Sequence, residues 1–371
     1  MRPLAIDATG RIVAFPPRLP LASTAPRYRA LAHPRNGSHM RRRLVAVAAA
    51  ALVAGLLPVA PATAAPLAAV DRPVAQRIAG ADRYATAVAI SDYSFATTTS
   101  TVYLTTGEAF PDALAAAAAA GSAGAPLLLT YSGGMPGATR DEIASLRPST
   151  IYVVGGTAAI PEAQITQLRA LPFAPNVVRI SGANRYETSY QVATQRFTNP
   201  GAVYVATGGS FADALSAAAA AGSANIPILL VDGTDAARLL QVIGQLGARR
   251  AILVGGTGVI SSQIETQLRG QLSRVDRYAG ANRYETSAAI ARNSFPNPRY
   301  TFVASGANFP DALAAAALAA DLDAPLLLSQ PQCIERSVGG YLDGIDPDYR
   351  KGIGGASTLS DAVVFDGARC G

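Results

Sequence analysis

The sequence predicts an α/β protein made of three tandem homologous domains, each a small, mostly parallel sheet flanked by helices. Three observations predict it. The same short phrases return three times in one order, at intervals of about a hundred residues. Within each unit, apolar β-branched runs alternate with alanine-rich and amphipathic stretches, the pattern of a parallel sheet covered on both faces. The joins hold no Gly/Ser or Pro-rich tract, so the copies are expected to pack directly on one another. Such a long period is domain-sized, well beyond the roughly 20 to 50 residues of a solenoid unit.

Taken in order, each unit opens on a signature: RIAGADRYATA from Arg77, RISGANRYETS from Arg179 and RYAGANRYETS from Arg277. In the first copy this leads into a short helix over Arg83 to Phe95, then a buried strand over Thr101 to Gly107. FPDAL from Phe110, FADAL from Phe211 and FPDAL from Phe309 open the next helix. Proline suits a first helical turn, and an aspartate there sits favourably against the positive end of the helix dipole. The alanine run Ala115 to Ala120 has little bulk, which lets this helix lie close to a sheet. Ala125 to Thr130 is the next strand, Asp141 to Leu146 part of a helix, Thr150 to Gly156 a third strand and Pro161 to Leu171 a fourth helix. The closing phrase, VVGGTAAIP from Val153 and LVGGTGVIS from Leu253, degrades to GIGGASTLS from Gly352, which leaves the closing helix of the third copy unspecified.

Met40 begins a segment with three arginines (Arg41 to Arg43), an apolar run from Leu44 to Leu57 and a small-residue Ala62-Thr63-Ala64 site. That is the layout of a secretory signal peptide, and the run is too short to span a bilayer. The expected organisation is an upstream extension at 1–39, a signal at 40–64, a short segment at 65–76 and repeats at 77–178, 179–276 and 277–371. Removing residues 1–64 takes Lys plus Arg from 31 to 22 and Asp plus Glu from 25 to 24, so a net charge of +6 becomes −2. The basic excess belongs to the leader and gives no support to nucleic-acid binding.

The leader also holds both histidines, His33 and His39. The remainder offers no imidazole for a triad, a general base or a His-containing zinc site, so neither enzyme activity nor a metal or cofactor is expected. Cys333 and Cys370 are the two cysteines, and an even pair in an exported chain points to a disulfide at the C-terminal end. Neither a lipid anchor nor a membrane span is expected after cleavage.

The signature sets two arginines six apart: Arg77 with Arg83, Arg179 with Arg185, Arg277 with Arg283. Two readings fit. In one, these planar forks grip carboxylate or phosphate on a polymer. In the other, they pair with Asp112, Asp213 and Asp311 and clamp neighbouring elements. Tyr84, Tyr186 and Tyr284 either stack on sugar rings or fill half-buried core positions. The turns at Gly107, Gly208, Gly155 and Gly255 lie where strands feed helices, a place where such sheets bind anions, although no dinucleotide or P-loop pattern is present.

With RxxGxxRYxT, FPDALA, a PLLL strand and VVGGxxxI in order in each unit, Arg77 to Cys370 resembles the cell wall binding repeat 2 family of Gram-positive surface proteins. The resemblance implies three modules around a pseudo-threefold axis and a secreted, wall-associated protein. It also implies non-covalent attachment to an anionic, teichoic-acid-like secondary wall polymer or wall polysaccharide. It links anchoring to the PLLL segment, here Leu127, Leu128, Leu129; Ile228, Leu229, Leu230; and Leu326, Leu327, Leu328. By their composition these are core strand residues, expected to support the site rather than touch polymer. An exported small-ligand binder and a wall amidase, or an accessory to one, are the alternative readings.

Overall fold

The computed structural model describes residues 73–371 except 96–98, 233–235, 309 and 346. It also describes the backbone of two short antiparallel strands, β1 (Leu4–Ile6) and β2 (Ile12–Ala14), in a separate N-terminal unit. Otherwise the expected upstream extension, the signal segment and residues 65–72 lie outside the described residues.

From Val74 onward, strands and helices alternate as the patterning requires. The first copy contributes β3 (Val74–Ile78), α1 (Arg83–Ser94), β4 (Thr101–Thr106), α2 (Pro111–Ser122), β5 (Leu127–Thr130), α3 (Gly137–Leu146), β6 (Thr150–Val154) and α4 (Glu162–Arg169). The second runs through β7 (Asn176–Ile180), α5 (Arg185–Arg196), β8 (Ala202–Thr207), α6 (Ala212–Ser223), β9 (Ile228–Val231), α7 (Ala237–Leu246), β10 (Arg250–Val254) and α8 (Ser262–Arg269). The third has β11 (Arg274–Tyr278), α9 (Arg283–Ser294), β12 (Tyr300–Ser305), α10 (Pro310–Asp321), β13 (Leu326–Ser329), α11 (Arg336–Asp343) and β14 (Tyr349–Ile353).

These strands form three four-stranded parallel sheets, ordered β5-β4-β6-β7, β9-β8-β10-β11 and β13-β12-β14-β3. The sheets run one strand out of phase with the sequence repeat. The strand that opens each signature completes the sheet of the preceding copy: Ile180 pairs in register with Val154, and Tyr278 with Val254. β3, the opening strand of the first copy, closes the third sheet, with Ile78 opposite Ile353. The helix after each signature strand then packs on the next sheet, α1 on β5, α5 on β9 and α9 on β13. Each signature is therefore a hinge between two modules, and the three modules close a ring.

The alanine-rich helices explain the absence of linkers. α2, α6 and α10 pack on one another, with Ala113–Ala120, Ala217–Ala221 and Ala312–Ala317 all at most 2% exposed. A helix lying on one sheet needs small residues on one face only. These helices also meet two partners, so they are small all round. A Cβ placed on Gly222 would fall 2.7 Å from the Ala320 Cβ and 2.9 Å from the Ala118 carbonyl oxygen, which shows how closely the backbones approach. Packing at this density gains many dispersion contacts from side chains of minimal volume.

The third copy ends differently from its siblings. Where α4 and α8 close the first two, a single π-helical turn spans Ala362–Asp366. A Cβ on Gly352 would meet Val364 Cγ2 at 2.3 Å, so that turn sits directly on β14. Cys333 and Cys370 are joined by a disulfide, and Arg369 bonds the Asp343 carboxylate at 2.5 Å. Together they tie the C-terminal residues to the segment around α11.

Candidate functional site

Each signature folds the same way. Asp82, Asn184 and Asn282 cap the following helix by accepting from backbone N–H groups one turn in, at 2.8 to 3.0 Å. The cap fixes the direction of the next residue, which is the second arginine. Arg83, Arg185 and Arg283 each donate one N–H to a glycine carbonyl: Gly107 at 2.6 Å, Gly208 at 2.7 Å and Gly306 at 2.5 Å. Arg83 is half-buried, whereas Arg185 and Arg283 are exposed. Their guanidinium groups also lie over rings of the preceding copy, Arg185 at 5.9 Å from Phe110 and Arg283 at 5.4 Å from Phe211.

The first arginines are spent inside the protein. Arg179 donates to the carbonyls of Gly155 (2.7 Å) and Ile160 (2.8 Å) and pairs with Glu162 at 3.2 Å. Arg277 does the same with Gly255, Ile260 and Glu265. Arg77 reaches across the ring seam to Gly354 (2.5 Å) and Asp361 (2.7 Å). These contacts hold the paired-glycine loop onto the neighbouring signature strand.

The aspartates do not take the ion pairs considered from the sequence. Asp112, Asp213 and Asp311 hydrogen-bond instead to Thr188, Thr286 and Thr86 of the next signature around the ring. Burial pushes all three carboxyls above the usual range, while the threonine hydroxyl and the nearby second arginine pull the other way. Each carboxylate also lies against the first glycine of its own paired-glycine turn. A Cβ on Gly255 would sit 2.5 Å from the Asp213 carboxylate, and φ there is +102°. The strand ends and helix N-termini where a parallel sheet would bind an external anion are thus occupied by internal carboxylates. The phosphate-type site considered at these turns is closed for that reason.

Tyr84, Tyr186 and Tyr284 are half-buried and lie on the glycine that accepts from the second arginine. Cβ atoms on Gly208 and Gly306 would come within 2.5 and 2.6 Å of their rings. Tyr84 also tilts against Tyr131, with ring centres 5.7 Å apart. The PLLL positions, from Leu127 through Leu328, are at most 2% exposed. Signature side chains hold two of these strands in place. Ser189 Oγ accepts from Leu230 N at 3.0 Å, and Ser287 Oγ from Leu328 N at 3.2 Å.

Sequence reasoning missed the signature threonines and serines and Lys351. The threonines recur in all three copies, which was the available signal. Lys351 stood out only as the sole lysine of the chain, and its role was not readable because Gln76 and Tyr93 come from another part of the chain. Among the described residues, no group of three or more His, Cys, Asp or Glu could hold a metal ion, and no helix is long and apolar enough to cross a membrane.

Comparison with known proteins gives a consistent picture. The family model for cell wall binding domain 2 (CWB2) matches residues 77–165, 179–265 and 277–364. Among curated relatives, the N-acetylmuramoyl-L-alanine amidase LytC of Bacillus subtilis (strain 168) is 32% identical over 255 residues, 68% of this chain and 50% of LytC. The amidase enhancer of the same organism is 31% identical over 254 residues, 68% of this chain and 34% of the relative. The chain thus spans half or less of the length of these relatives. Among solved structures, Cwp6 from Clostridium difficile superposes with a TM-score of 0.73 at 27% identity, covering 79% of this chain and 47% of Cwp6. Cwp8 from the same organism gives 0.70 at 26%, covering 78% and 50%.

Proposed function

The chain belongs to the cell wall binding domain 2 family, and from that premise we propose that it is an exported anchor. In this reading it holds an anionic, teichoic-acid-like secondary wall polymer through Arg83, Arg185 and Arg283 and performs no catalysis itself. One observation carries the reading. The same guanidinium, anchored by a single N–H on a glycine carbonyl, is presented three times around the ring, while its partner six residues earlier is held by two or three internal groups. With a net charge of −2 after residue 64, long-range attraction to an anionic wall is not the main term. Retention then rests on local contacts used several times. Charge-assisted hydrogen bonds are worth roughly 1.5 to 3 kcal/mol each. Linking modules raises avidity by about 10² to 10⁴ over a single one.

The likeness to an amidase and to an amidase enhancer of Bacillus subtilis supports a second, narrower reading, in which the chain positions or assists a wall amidase. Co-sedimentation of the protein with native and acid-stripped wall tests the main proposal. Binding is expected to native wall, to fall as salt rises, and to disappear when all three second arginines are replaced by alanine in a protein that remains folded by circular dichroism. Full sedimentation of that folded variant would sink the arginine assignment. A zymogram on purified wall separates the amidase reading.

A further inference from the structure

The three inter-copy seams share a backbone plan but differ in sequence. Each is walled on one side by a signature loop. The other wall is built from two loops of the preceding copy, one leading into its alanine-rich helix and one following its paired glycines. At the seam between the third and first copies the cleft has a volume of about 230 Å³, and its lining includes Asp82, Arg83, Asn308, Asp311, Ser357 and Thr358. The positions matching Asn308, Ser357 and Thr358 are Ala109, Ala158 and Ala159 in the first copy, and Ser210, Gly258 and Val259 in the second. At these three positions the seam carries an amide and two hydroxyls where the other copies carry alanine, glycine, valine and one serine, although the neighbouring Ala356 stands where they have Thr157 and Thr257.

Asn308 and Ser357 are exposed and Thr358 is half-buried, and none of their side chains makes a hydrogen bond among the described residues. Asp82 spends a carboxylate oxygen on Ala85 N at 2.8 Å, and Arg83 spends one N–H on Gly107. Both still line the cleft. We propose that this seam cleft is a subsite for an uncharged sugar ring, gripped through its vicinal hydroxyls. A hydroxyl both donates and accepts, so it is matched by a lining that mixes an acceptor-only carboxylate, a donor-only guanidinium, and amide and hydroxyl groups that do both. Two carboxylates in the lining disfavour a phosphate. The volume lies below the roughly 300 to 1,000 Å³ of pockets for drug-sized ligands, which limits the occupant to about one ring. The inference rests on the wall-binding reading and refines it: Arg185 and Arg283 grip the charge of the polymer, while at the seam Arg83, beside the Asp82 and Asp311 carboxylates, serves a sugar hydroxyl instead.

The test uses the full chain in two arms. In the first, glucose and N-acetylglucosamine are titrated separately while amide resonances are followed by NMR. Shifts are expected at Asn308, Ser357 and Thr358, with about millimolar affinity, and not at Ala109, Ala158 or Gly258. No shift at the seam with either sugar, or equal shifts in all three clefts, would overturn the proposal. In the second arm, a folded Asn308→Ala/Ser357→Ala/Thr358→Ala variant should lose about tenfold in wall affinity, the worth of a few neutral hydrogen bonds. The matched control Ser210→Ala should sediment like the parent. A triple variant that sediments like the parent also overturns the subsite. Failure of the parent chain to sediment with wall defeats the anchoring reading instead, and the sugar titration then judges the seam separately.

Discussion

Replacing Lys351 with methionine should change how stability depends on pH, and in a direction opposite to the usual expectation for losing a charged partner. Lys351 is the only lysine in the chain and is 3% exposed. Its ammonium donates to Gln76 Oε1 of β3 at 2.8 Å and lies 5.2 and 5.0 Å from the ring centres of Tyr93 and Tyr349. It thus stands at the strand pair that closes the ring. Among the described residues no carboxylate pairs with it, and burial lowers its pKa from 10.5 to about 8. Between those values the unfolded chain binds more protons than the native one, so stability rises with pH through that window. The deficit is fully present below about pH 8. A shift of this size corresponds to about 3 kcal/mol at pH 7, of which about 2 kcal/mol is recovered by about pH 9.5. Tyr93, pushed up to about 12, stays protonated throughout. Urea unfolding of the parent and Lys351→Met at about pH 7 and pH 9.5 isolates the effect, because every other titration cancels in the difference. The parent should gain about 2 kcal/mol on the variant between the two pH values. Parallel pH curves would refute the reasoning and mean that the ammonium reaches solvent in the folded protein.

Three further outcomes follow from the packing. Gly222→Ala should lower stability by about 1 to 3 kcal/mol in a thermal melt, because the crowding against Ala320 and Ala118 outweighs the helix propensity gained. Replacing Cys333 and Cys370 with serine releases a cross-link spanning 37 residues and should cost about 4 kcal/mol by the chain-entropy relation, read as a lower urea midpoint. Asp213→Asn should hold most of the stability at pH 7 because the amide can still bond Thr286, whereas Asp213→Leu leaves the Thr286 O–H without its acceptor, its oxygen still accepting from Gly280 N, and should cost about 1 to 3 kcal/mol more. Since burial raises the Asp213 pKa, the parent but not Asp213→Asn should lose stability from this group as pH rises above the ordinary aspartate value.

Much of the fold was legible because local chemistry repeats. The β-branched runs at Thr101 and Thr150 and the proline at Pro111 each set a local conformation that needs no distant partner. The signature arginines were visible as candidates, but their roles were not. Arg179 and Arg185 share one motif and one residue type. Their roles diverge in the fold, where a second carbonyl and a carboxylate, Ile160 and Glu162, fall within reach of the Arg179 guanidinium while Arg185 lies exposed over the Phe110 ring. Sequence spacing carries no information on that reach. The aspartates illustrate the same limit. Their place at a helix start could be read directly, whereas the threonine they bond lies in the next copy around the ring, up to 225 residues away for Asp311 and Thr86.

By itself the sequence determined that there are three copies, that each alternates strand and helix, and that the alanine-rich segments must lie close to something. Periodicity and residue volume are local properties, and they survive into any arrangement of the parts. Tertiary structure alone decided that each signature strand joins the preceding sheet, and that β3 closes the third sheet from the far end of the chain. It also decided that α2, α6 and α10 pack on one another as well as on their sheets. Those choices depend on which surfaces find complementary partners once all three copies are present. That balance of burial and hydrogen bonding is summed over the whole ring, and no single repeat contains it.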